Sequence, residues 1–308
     1  MLGACAWRRS RHSSSAASPT QRQAAAYPFH DPRRLRWTYV PTPRPGVSLL
    51  GLDRQSRKGA HRLLATALSR HAFAQVVTIM ALEEVLDLDE GGARGRHSDD
   101  YHLAVFGTPG DEEWGWRFEG HHVSVTATVS GGRVEVAPLF LGAHPAGVWY
   151  GSAAVVRPLP LEEELARALL AELSPALRGR AIVADEAPPD ILTGTSEVTS
   201  ALEPLGVRGA SMGSAERDLL AGLTAVYVDR LAPELRGSHD AAGLSFAWAG
   251  PVTPGAGHYY RIQGQGLLIE YDNTADAADH AHTVIRRPGA DFGAAILPAH
   301  LTGELGLS

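Results

Sequence analysis

Apolar and polar residues alternate with a period of two in the last third of the chain, a pattern typical of β-strands with one buried face. In the run LLIEYD, Leu267, Ile269 and Tyr271 fall on one side. Glu270 and Asp272 fall on the other side. This run therefore predicts a strand that packs an apolar face against a core and presents two carboxylates on the opposite face.

A period near 3.6 residues predicts helices elsewhere in the chain. The stretch from Ala72 to Leu88 is an example, because Val76, Met80 and Val85 form an apolar stripe along it. Ser or Asp before such a stretch can cap the first turn, and Pro is tolerated there. The predicted helices begin at Ser18, Asp53, Ala72, Glu162, Ser174, Ser214 and Ala294, the last ending at His300, and the predicted strands lie within residues 37–40, 101–106, 116–128 (two strands around Gly120), 133–140 and 244–249.

The order of these elements repeats along the chain. The run SPTQR at residues 18–22 recurs as SPALR at residues 174–178, and WRFEG at 116–120 matches YRIQG at 260–264. We therefore predict an α+β fold of two tandem helix-then-antiparallel-sheet halves that arose by internal duplication. The halves would span residues 18–155 and 156–308 within one compact unit, after a Ser-, Arg- and Ala-rich tail at residues 1–17 whose composition predicts disorder.

Composition narrows the class of protein. With 308 residues, 44% of them hydrophobic, the chain can form one large core or two of ordinary size. A net charge of −6 argues against general affinity for nucleic acids. No apolar run reaches transmembrane length, and no apolar segment follows the N-terminal arginines as a signal peptide requires. We therefore expect a cytoplasmic protein that does not bind membranes.

Several chemistries are disfavoured by missing motifs. Cys5 is the only cysteine, which excludes an intrachain disulfide and a cysteine-based metal site. No Walker loop, Gly-x-Gly-x-x-Gly turn or Gly-x-Ser-x-Gly elbow follows a predicted strand. We therefore expect no nucleotide cofactor and no serine hydrolase of the nucleophile-elbow type.

Two histidines at a spacing of two, His280 and His282, follow the acidic strand. If residues 273–279 form the loop, Asp272 lies opposite His280 and Glu270 opposite His282, with Cβ atoms about 5 Å apart. Two imidazoles and a carboxylate form the ligand set of sites that bind iron, or zinc when tetrahedral. We expect His280, His282 and Glu270 to bind a divalent metal ion, with Asp272 as general base or orienting carboxylate. A metal-free acid/base or binding site, or a purely structural cluster, would use the same groups.

A second polar cluster lies at the turn of the matching hairpin in the first half, where Glu119, His121 and His122 fall close together. If the two halves meet edge to edge or face to face, this turn would complete the metal site. His121 or His122 would then lie near His280 or His282, and Glu119 would take a catalytic role.

Four further side chains are candidates for substrate recognition or catalysis around this face. A hairpin turn at Gly264-Gln265 would place Tyr259 and Arg261 beside the acidic pair. Arginine can clamp a carboxylate through paired N–H groups, or it can form a buried ion pair. We expect Arg261 to act in catalysis, and Arg117, Trp116 and Tyr259 to bind the substrate.

Six runs of the chain are long or distinctive enough to compare with known families. They are FGTPGDEEWGWRFEGHHVSV (Phe106–Val125), DILTG (Asp190–Gly194), SFAWAG (Ser245–Gly250), HYYRIQGQGLLIEYDN (His258–Asn273), HAH (His280–His282) and DFGA (Asp291–Ala294). In these runs the chain resembles a bacterial and fungal family known only as domain of unknown function 3500. The resemblance covers about residues 18 to 300 and implies no particular activity.

These features support a metal-dependent enzyme, either a hydrolase or an oxidoreductase, that acts on a small polar or peptide substrate through a His/carboxylate site. Zinc and iron are both open as the cofactor. The alternative is a non-catalytic module that binds a sugar or peptide through Trp114, Trp116, Tyr259 and Arg261. A third hypothesis is an interaction protein in which the duplication matters and the histidine pair does not.

Overall fold

Six helices cover one side of the molecule in the computed structural model, which describes residues 18–298. A Ser or Asp side chain caps the start of four of these helices. Ser18 accepts a hydrogen bond from Gln21 in a capping box, and Asp53 accepts one from Ser56. The helices are α1 (Pro19–Ala25), α2 (Arg54–Ala67), α3 (Arg70–Asp89), α4 (Pro160–Glu172), α5 (Pro175–Ala181) and α6 (Ser214–Val228).

The strands of the described residues are β1 (Ala26–Tyr27), β2 (Val47–Ser48), β3 (Tyr101–Phe106), β4 (Glu113–Gly120), β5 (Val123–Ser130), β6 (Arg133–Ala143), β7 (Val148–Tyr150), β8 (Ala153–Val156), β9 (Ile182–Ala184), β10 (Val207–Arg208), β11 (Ser245–Ala249), β12 (Tyr259–Gly264), β13 (Leu267–Ala275) and β14 (His280–Arg286). Twelve of these fourteen strands form one continuous mixed sheet, and β7 and β8 pair only with each other. Ten of the twelve follow the order β1-β3-β4-β5-β6-β14-β13-β12-β11-β10, while β2 pairs with β3 and β9 with β11.

The sheet has an apolar face and a polar face. The apolar face packs against the longer helices in one large core that includes Trp116, Trp248 and Ile269. The other face carries buried polar side chains and is covered by loops, whose Trp37 and Ile191 belong to a smaller core. Because both faces are covered, β4, β5, β12 and β13 are buried along most of their length.

The predicted mixture of helices and a large sheet is confirmed, with one correction. The sheet is mixed and not purely antiparallel, because β1 pairs with β3 and β9 with β11 in parallel. The two predicted halves also share a single sheet, since β6 pairs with β14 at its centre. Each parallel pair is possible because helices lie between its two strands along the chain, α2 and α3 between β1 and β3, and α6 between β9 and β11.

Three local predictions differ from the structure. Residues 37–40 form no strand, because Trp37 and Tyr39 pack as loop anchors on the polar face. The stretch before Pro160, predicted as loop, contains the β7–β8 hairpin. The predicted helix from Ala294 to His300 is replaced over residues 294–298 by turns that follow a short 3₁₀ segment. Its last residues and the predicted tail at 1–17 lie outside the described residues.

Over residues 18–298, no helix combines the length and the apolar character that spanning a bilayer requires.

Candidate metal centre

His280 and His282 lie at the start of β14, next to the centre of the sheet. The predicted register is wrong by two residues, because β13 runs on to Ala275 and leaves a shorter loop. Asp272 pairs with His282, and His280 pairs with Ala275. A shift of two residues keeps side chains on the same face. The predicted grouping of His282 with the acidic pair on the polar face therefore holds although the partners change.

His122 reaches the same place from the first half of the sheet. It lies in the tight β4–β5 turn with a φ of 61°, a left-handed conformation that is uncommon for residues with a side chain. Gly142 of β6 leaves the space for its ring. A Cβ atom on Gly142 would lie 2.8 Å from Cδ2 of His122 and 3.1 Å from Cδ2 of His282.

The three imidazoles converge through their Nε2 atoms. Nε2 of His280 lies 2.7 Å from Nε2 of His122 and 3.0 Å from Nε2 of His282. Two nitrogens bound to one tetrahedral zinc ion at about 2.0–2.1 Å are roughly 3.3 Å apart. The observed separations of 2.7 Å and 3.0 Å are shorter than this by roughly 0.6 Å and 0.3 Å, so modest outward rotations of the rings would complete a coordination sphere.

Two of these histidines have their other ring nitrogen bound to a carboxylate. Nδ1 of His280 is 2.8 Å from Oδ2 of Asp276, and Nδ1 of His282 is 2.7 Å from Oδ1 of Asp190. An ionised carboxylate only accepts hydrogen bonds, so both Nδ1 atoms carry the proton. In the neutral rings both Nε2 atoms then present a lone pair. This carboxylate–histidine arrangement is the usual outer support of metal-binding imidazoles.

Burial keeps the rings of His122 and His280 in the neutral form, which is the form that binds metals. Burial, with the neighbouring imidazoles, lowers the pKa of His280 to about 4 and lowers the pKa of His122 well below its usual value. His122 is almost fully buried, whereas the side chains of His280 and His282 keep 18% and 13% exposure. His122 and His280 are therefore neutral near pH 7, and the cluster is open to solvent on the side of His280 and His282.

His121, the other candidate ligand in the turn, points elsewhere. Its Nδ1 lies 2.5 Å from Oε1 of Glu83 and 3.1 Å from Nη1 of Arg96, while its ring packs against that of His122 at a centroid distance of 3.7 Å. Glu83, His121 and His122 have ligand atoms within 4.8 Å of one another. The guanidinium group of Arg96 already supplies the positive charge beside Glu83, so this group is a poor cation site.

His144, Asp276 and His280 form another group whose possible ligand atoms lie within 4.8 Å of one another. Its ring stacks on that of His280 at a centroid distance of 4.5 Å, and its Nε2 lies 3.7 Å from Oδ2 of Asp276. Because Asp276 already accepts the hydrogen bond from His280, these three residues are a poor separate metal site, and His144 packs against the three-histidine cluster without joining it.

Glu270, predicted as a metal ligand, is directed at a loop. Its fully buried carboxylate accepts hydrogen bonds from the backbone N–H groups of Leu192 and Thr193, at 2.6 Å and 3.2 Å, and from the Thr193 hydroxyl. The hydroxyl of Tyr259 donates a further hydrogen bond of 3.0 Å. Burial raises the pKa of Glu270, although these hydrogen bonds oppose the shift.

Asp272 lies beside the cluster without belonging to it. Oδ1 accepts hydrogen bonds of 2.9 Å and 2.8 Å from the backbone and hydroxyl of Thr274. Its Oδ2 is buried and has no hydrogen-bond partner within residues 18–298. Burial raises the pKa of Asp272 to about 6. Of the predicted carboxylates, it is the one that directly faces His282 across the strand pair.

The predicted arginines and Glu119 also contact loops. Arg117 donates hydrogen bonds to the carbonyls of Arg33 and Arg34, and Arg261 donates to the carbonyl of Pro204. The carboxylate of Glu119 accepts hydrogen bonds from Thr38 N at 2.9 Å and Ser124 Oγ at 3.0 Å, and lies 3.1 Å from Nε of Arg117. Both arginines are 1–2% exposed.

The two predicted aromatic contacts for a substrate are buried. Trp116 has no exposed surface and belongs to the large core on the helix side of the sheet. Tyr259 lies on the polar face, 1% exposed, with its hydroxyl on Glu270. The Gln265-Gly266 turn, one residue later than predicted, pairs Tyr259 with Asp272 and leaves it on the predicted face.

Sequence reasoning missed three residues that shape the cluster. Asp190 and Asp276 orient His282 and His280, and Gly142 provides space for the rings. Asp190 stands at the start of the DILTG run, which carries the family resemblance. That run was the available signal for Asp190, but the sequence gives no indication of which residue its carboxylate contacts.

The fold and the site together define a mixed α/β protein with a three-histidine cluster that could bind a metal ion, at the centre of the sheet where the strands of the two halves meet. The chain belongs to the family described as protein of unknown function (DUF3500), whose family model matches residues 8–294. The family resemblance inferred from the motifs is thereby confirmed. Comparison with curated proteins gives no match. Comparison with solved structures likewise gives none.

Proposed function

We propose that His122, His280 and His282 bind a divalent metal ion through their Nε2 atoms. The supporting observation is the pair of lone-pair-bearing nitrogens in His280 and His282, which face each other at 3.0 Å while both Nδ1 atoms donate to carboxylates. Two such acceptors repel each other unless a cation lies between them. A shared proton is disfavoured near pH 7, because the pKa of His280 is about 4.

Zinc fits this donor set better than iron. Three imidazoles with a position left for solvent or substrate are a common catalytic zinc arrangement. The two-histidine, one-carboxylate set of non-haem iron sites would need Glu270 or Asp272 as a ligand. Within residues 18–298, neither carboxylate belongs to a group of three or more possible ligand atoms that lie within 4.8 Å of one another. Glu270 also already accepts hydrogen bonds from four donor groups.

A zinc site of this kind supports a metal-dependent hydrolase that acts on a small polar substrate. Zinc with three protein ligands lowers the pKa of a bound water to about 7 and polarises carbonyl groups. The partial exposure of His280 and His282 leaves one side of the cluster accessible. Asp272, with its unpaired buried Oδ2 on the same face, is the carboxylate we propose as general base.

Metal content tests this proposal directly. Protein purified without a histidine tag should contain about one zinc per chain, and His282→Ala should lose it. His144→Ala is the matched control, because it removes an imidazole that stacks on the cluster without contributing an Nε2 atom to it. Wild-type protein that binds neither zinc nor iron(II) after reconstitution would refute the metal site. Iron(II) bound in preference to zinc would refute the hydrolase.

Activity is the second measurement. Zinc-loaded protein should hydrolyse small activated esters faster than the His282→Ala variant, and Asp272→Asn should lower the rate while zinc remains bound. A zinc-loaded protein without esterase, amidase or phosphoesterase activity on small substrates would leave a metal-binding protein and contradict the hydrolase proposal.

A cavity favours a second candidate function, a non-catalytic module that binds a small sugar. The cavity has a volume of about 370 Å³ and lies between the β7–β8 hairpin and the turn before His280. Trp149, 54% exposed, provides a flat aromatic surface, and Arg157 and Glu163 supply hydrogen-bonding groups. The predicted binding tryptophans, Trp114 and Trp116, are buried and cannot do this.

Tryptophan fluorescence distinguishes this candidate. Titration with mono- and disaccharides should change the emission of the wild-type protein but not of Trp149→Ala. Tyr150→Ala is the control, because Tyr150 is exposed on the same hairpin and does not line the cavity. Saturable binding without hydrolysis would favour the module, and an unchanged spectrum would exclude it for the sugars tested.

We also propose that the chain arose by internal duplication. The offset that aligns Arg117 with Arg261 also aligns Phe140 with Val284, and these two residues pair across the central strands β6 and β14. A twofold axis through that pair would therefore relate the halves. The order helix, short parallel strand, capped helix and four-stranded meander on each side supports this proposal. Separate expression of residues 18–155 would test whether one half folds alone or as a pair.

A further inference from the structure

The loop that carries Asp190 is held in place by a buried carboxylate on the sheet. Glu270, 0% exposed, accepts hydrogen bonds from the backbone of Leu192 and Thr193 and from the Thr193 hydroxyl. Isolated buried carboxylates are costly, and within residues 18–298 this one is stabilised by donors from the loop and from Tyr259. The conformation of the loop next to Asp190 is therefore fixed by a residue of β13.

A second buried carboxylate holds a different loop in the same way. Glu119 of β4 accepts a 2.9 Å hydrogen bond from the backbone of Thr38. The next residue, Tyr39, donates its hydroxyl to Oδ2 of Asp190 at 2.9 Å, and its carbonyl accepts a 3.1 Å hydrogen bond from the backbone of His122. Glu119 thus acts on the loop that connects Asp190 with His122.

The two loops meet at one carboxylate. Oδ2 of Asp190 accepts from Tyr39, and Oδ1 accepts from Nδ1 of His282. Asp190 itself has 37% side-chain exposure and no other described anchor than Tyr39, His282 and the backbone of Ile191. If the sheet did not hold the loop, few contacts would fix the distance between Asp190 and His282.

We propose that Glu270 and Glu119 are positioning residues of the metal centre. They hold the two loops that place Asp190 against His282, and they contact no metal ion themselves. This inference rests on the proposed metal site. It replaces the predicted roles of Glu270 as a ligand and Glu119 as a catalytic group with one shared role, in which each carboxylate acts through Asp190.

A double-mutant cycle on cobalt(II) and zinc affinity tests the inference. Glu270→Gln keeps the size of the side chain but provides one acceptor oxygen where the loop needs two. We expect it to weaken metal binding about tenfold, at the lower end of the 10–100-fold range for outer-shell partners. In an Asp190→Asn background, where the bond to His282 is already impaired, the same change should cost less than about threefold.

Glu135→Gln is the matched control, because Glu135 is a buried carboxylate of the same sheet that pairs with Arg287 and contacts neither loop. It should leave metal affinity unchanged. The visible spectrum of the bound cobalt(II) gives a readout that general destabilisation would not move. We expect Glu270→Gln and Glu119→Gln to shift or broaden the bands that wild-type protein shows, and Glu135→Gln to leave them alone.

Each outcome is decisive. Failure of wild-type protein to bind cobalt(II) or zinc would overturn the metal site itself. Tight binding by wild-type protein with an equal loss from Glu270→Gln in both backgrounds, or with no loss at all, would overturn only the positioning role. If Glu270→Gln does not fold, Thr193→Val removes one donor to the carboxylate and should weaken binding in the same direction, again only when Asp190 is present.

Discussion

His121 and His122 are neighbours in one turn, and the structure gives them opposite roles. Nε2 of His122 lies 2.7 Å from Nε2 of His280, whereas Nδ1 of His121 is held by Glu83. Replacing each by glutamine therefore separates a ligand from a packing residue within a matched pair. We expect zinc to stabilise the His121→Gln variant much as it stabilises the wild type, and to have almost no effect on His122→Gln.

The size of the effect follows from linkage. At a free zinc concentration of about 100 Kd, binding to the folded chain alone adds about 2.7 kcal/mol to the free energy of unfolding. For a chain longer than 250 residues this raises Tm by roughly 5 °C, at about 2 °C per kcal/mol. Changing a residue that only supports a ligand weakens metal binding by up to about 100-fold, so the loss of a ligand itself should weaken zinc binding by at least that factor. The variant would then sit near its Kd and gain only about 0.4 kcal/mol, or under about 1 °C.

Thermal melting with zinc and with a chelator measures this difference. His121→Gln loses its ring packing against His122 and its contacts with Glu83 and Arg96, none of which involves a metal-binding nitrogen. Its affinity should therefore fall at most about tenfold, and its zinc-dependent shift should be at least about 3 °C. Because each shift is taken against the same variant without metal, a lower starting stability does not enter the comparison. A full zinc shift in His122→Gln, or a lost shift in His121→Gln alone, would refute the assignment of the ligands.

Three further expectations concern stability and the space around the cluster. Arg230→Met leaves the fully buried Glu162 without the arginine that lies 2.6 Å from it, and urea unfolding should show that the free energy of unfolding falls by about 3–5 kcal/mol. The matched change at an exposed ion pair, Arg94→Met, should lower it by less than about 0.5 kcal/mol, and equal losses would contradict this expectation. Burial lowers the pKa of His258 to about 3, below the about 6.5 of an unfolded chain, so the unfolded state gains the proton first and stability should fall from pH 6.5 towards 3, by at most about 1.4 kcal/mol per pH unit. His258→Phe should flatten that part of the urea-midpoint curve, and an unchanged slope would contradict the assignment. Gly142→Ala should weaken zinc binding at least about tenfold in calorimetry, because its Cβ would lie 2.8 Å and 3.1 Å from ring carbons of two ligand histidines, and unchanged affinity would show that the rings can move aside.

Local patterns were sufficient to predict most of the secondary structure. The alternation in β13 and the caps at Ser18 and Asp53 are short-range signals, and the structure forms the corresponding elements. The strand predicted at residues 37–40 is absent. Aromatic residues favour strands, yet Trp37 and Tyr39 lie in a loop and pack their rings against Phe140. The packing surface that decides this outcome belongs to a strand about a hundred residues away and is invisible in the local sequence.

The face of the site was predictable, and its partners were not. Side-chain alternation with a period of two placed Glu270, Asp272 and His282 together correctly, because an error of two residues in register does not change the face. Which carboxylate touches which imidazole depends on the loop that covers the face. Asp190 arrives from that loop, and it takes the position beside His282 that the sequence suggested for Glu270.

The conformation of His122 connects the site with the proposed duplication. In the alignment of the two halves, His122 corresponds to Gly266, and both have positive φ, 61° and 69°. Glycine adopts this conformation without steric cost, whereas another residue pays about 1–3 kcal/mol and persists only where its surroundings hold it. The second half thus has the relaxed residue at this turn and the first half has the strained one. The strained residue is also the one whose ring meets His280 across the junction of the halves. If one ancestral half carried glycine there, its replacement by histidine gave the pair of halves a cluster of three imidazoles that neither half holds alone.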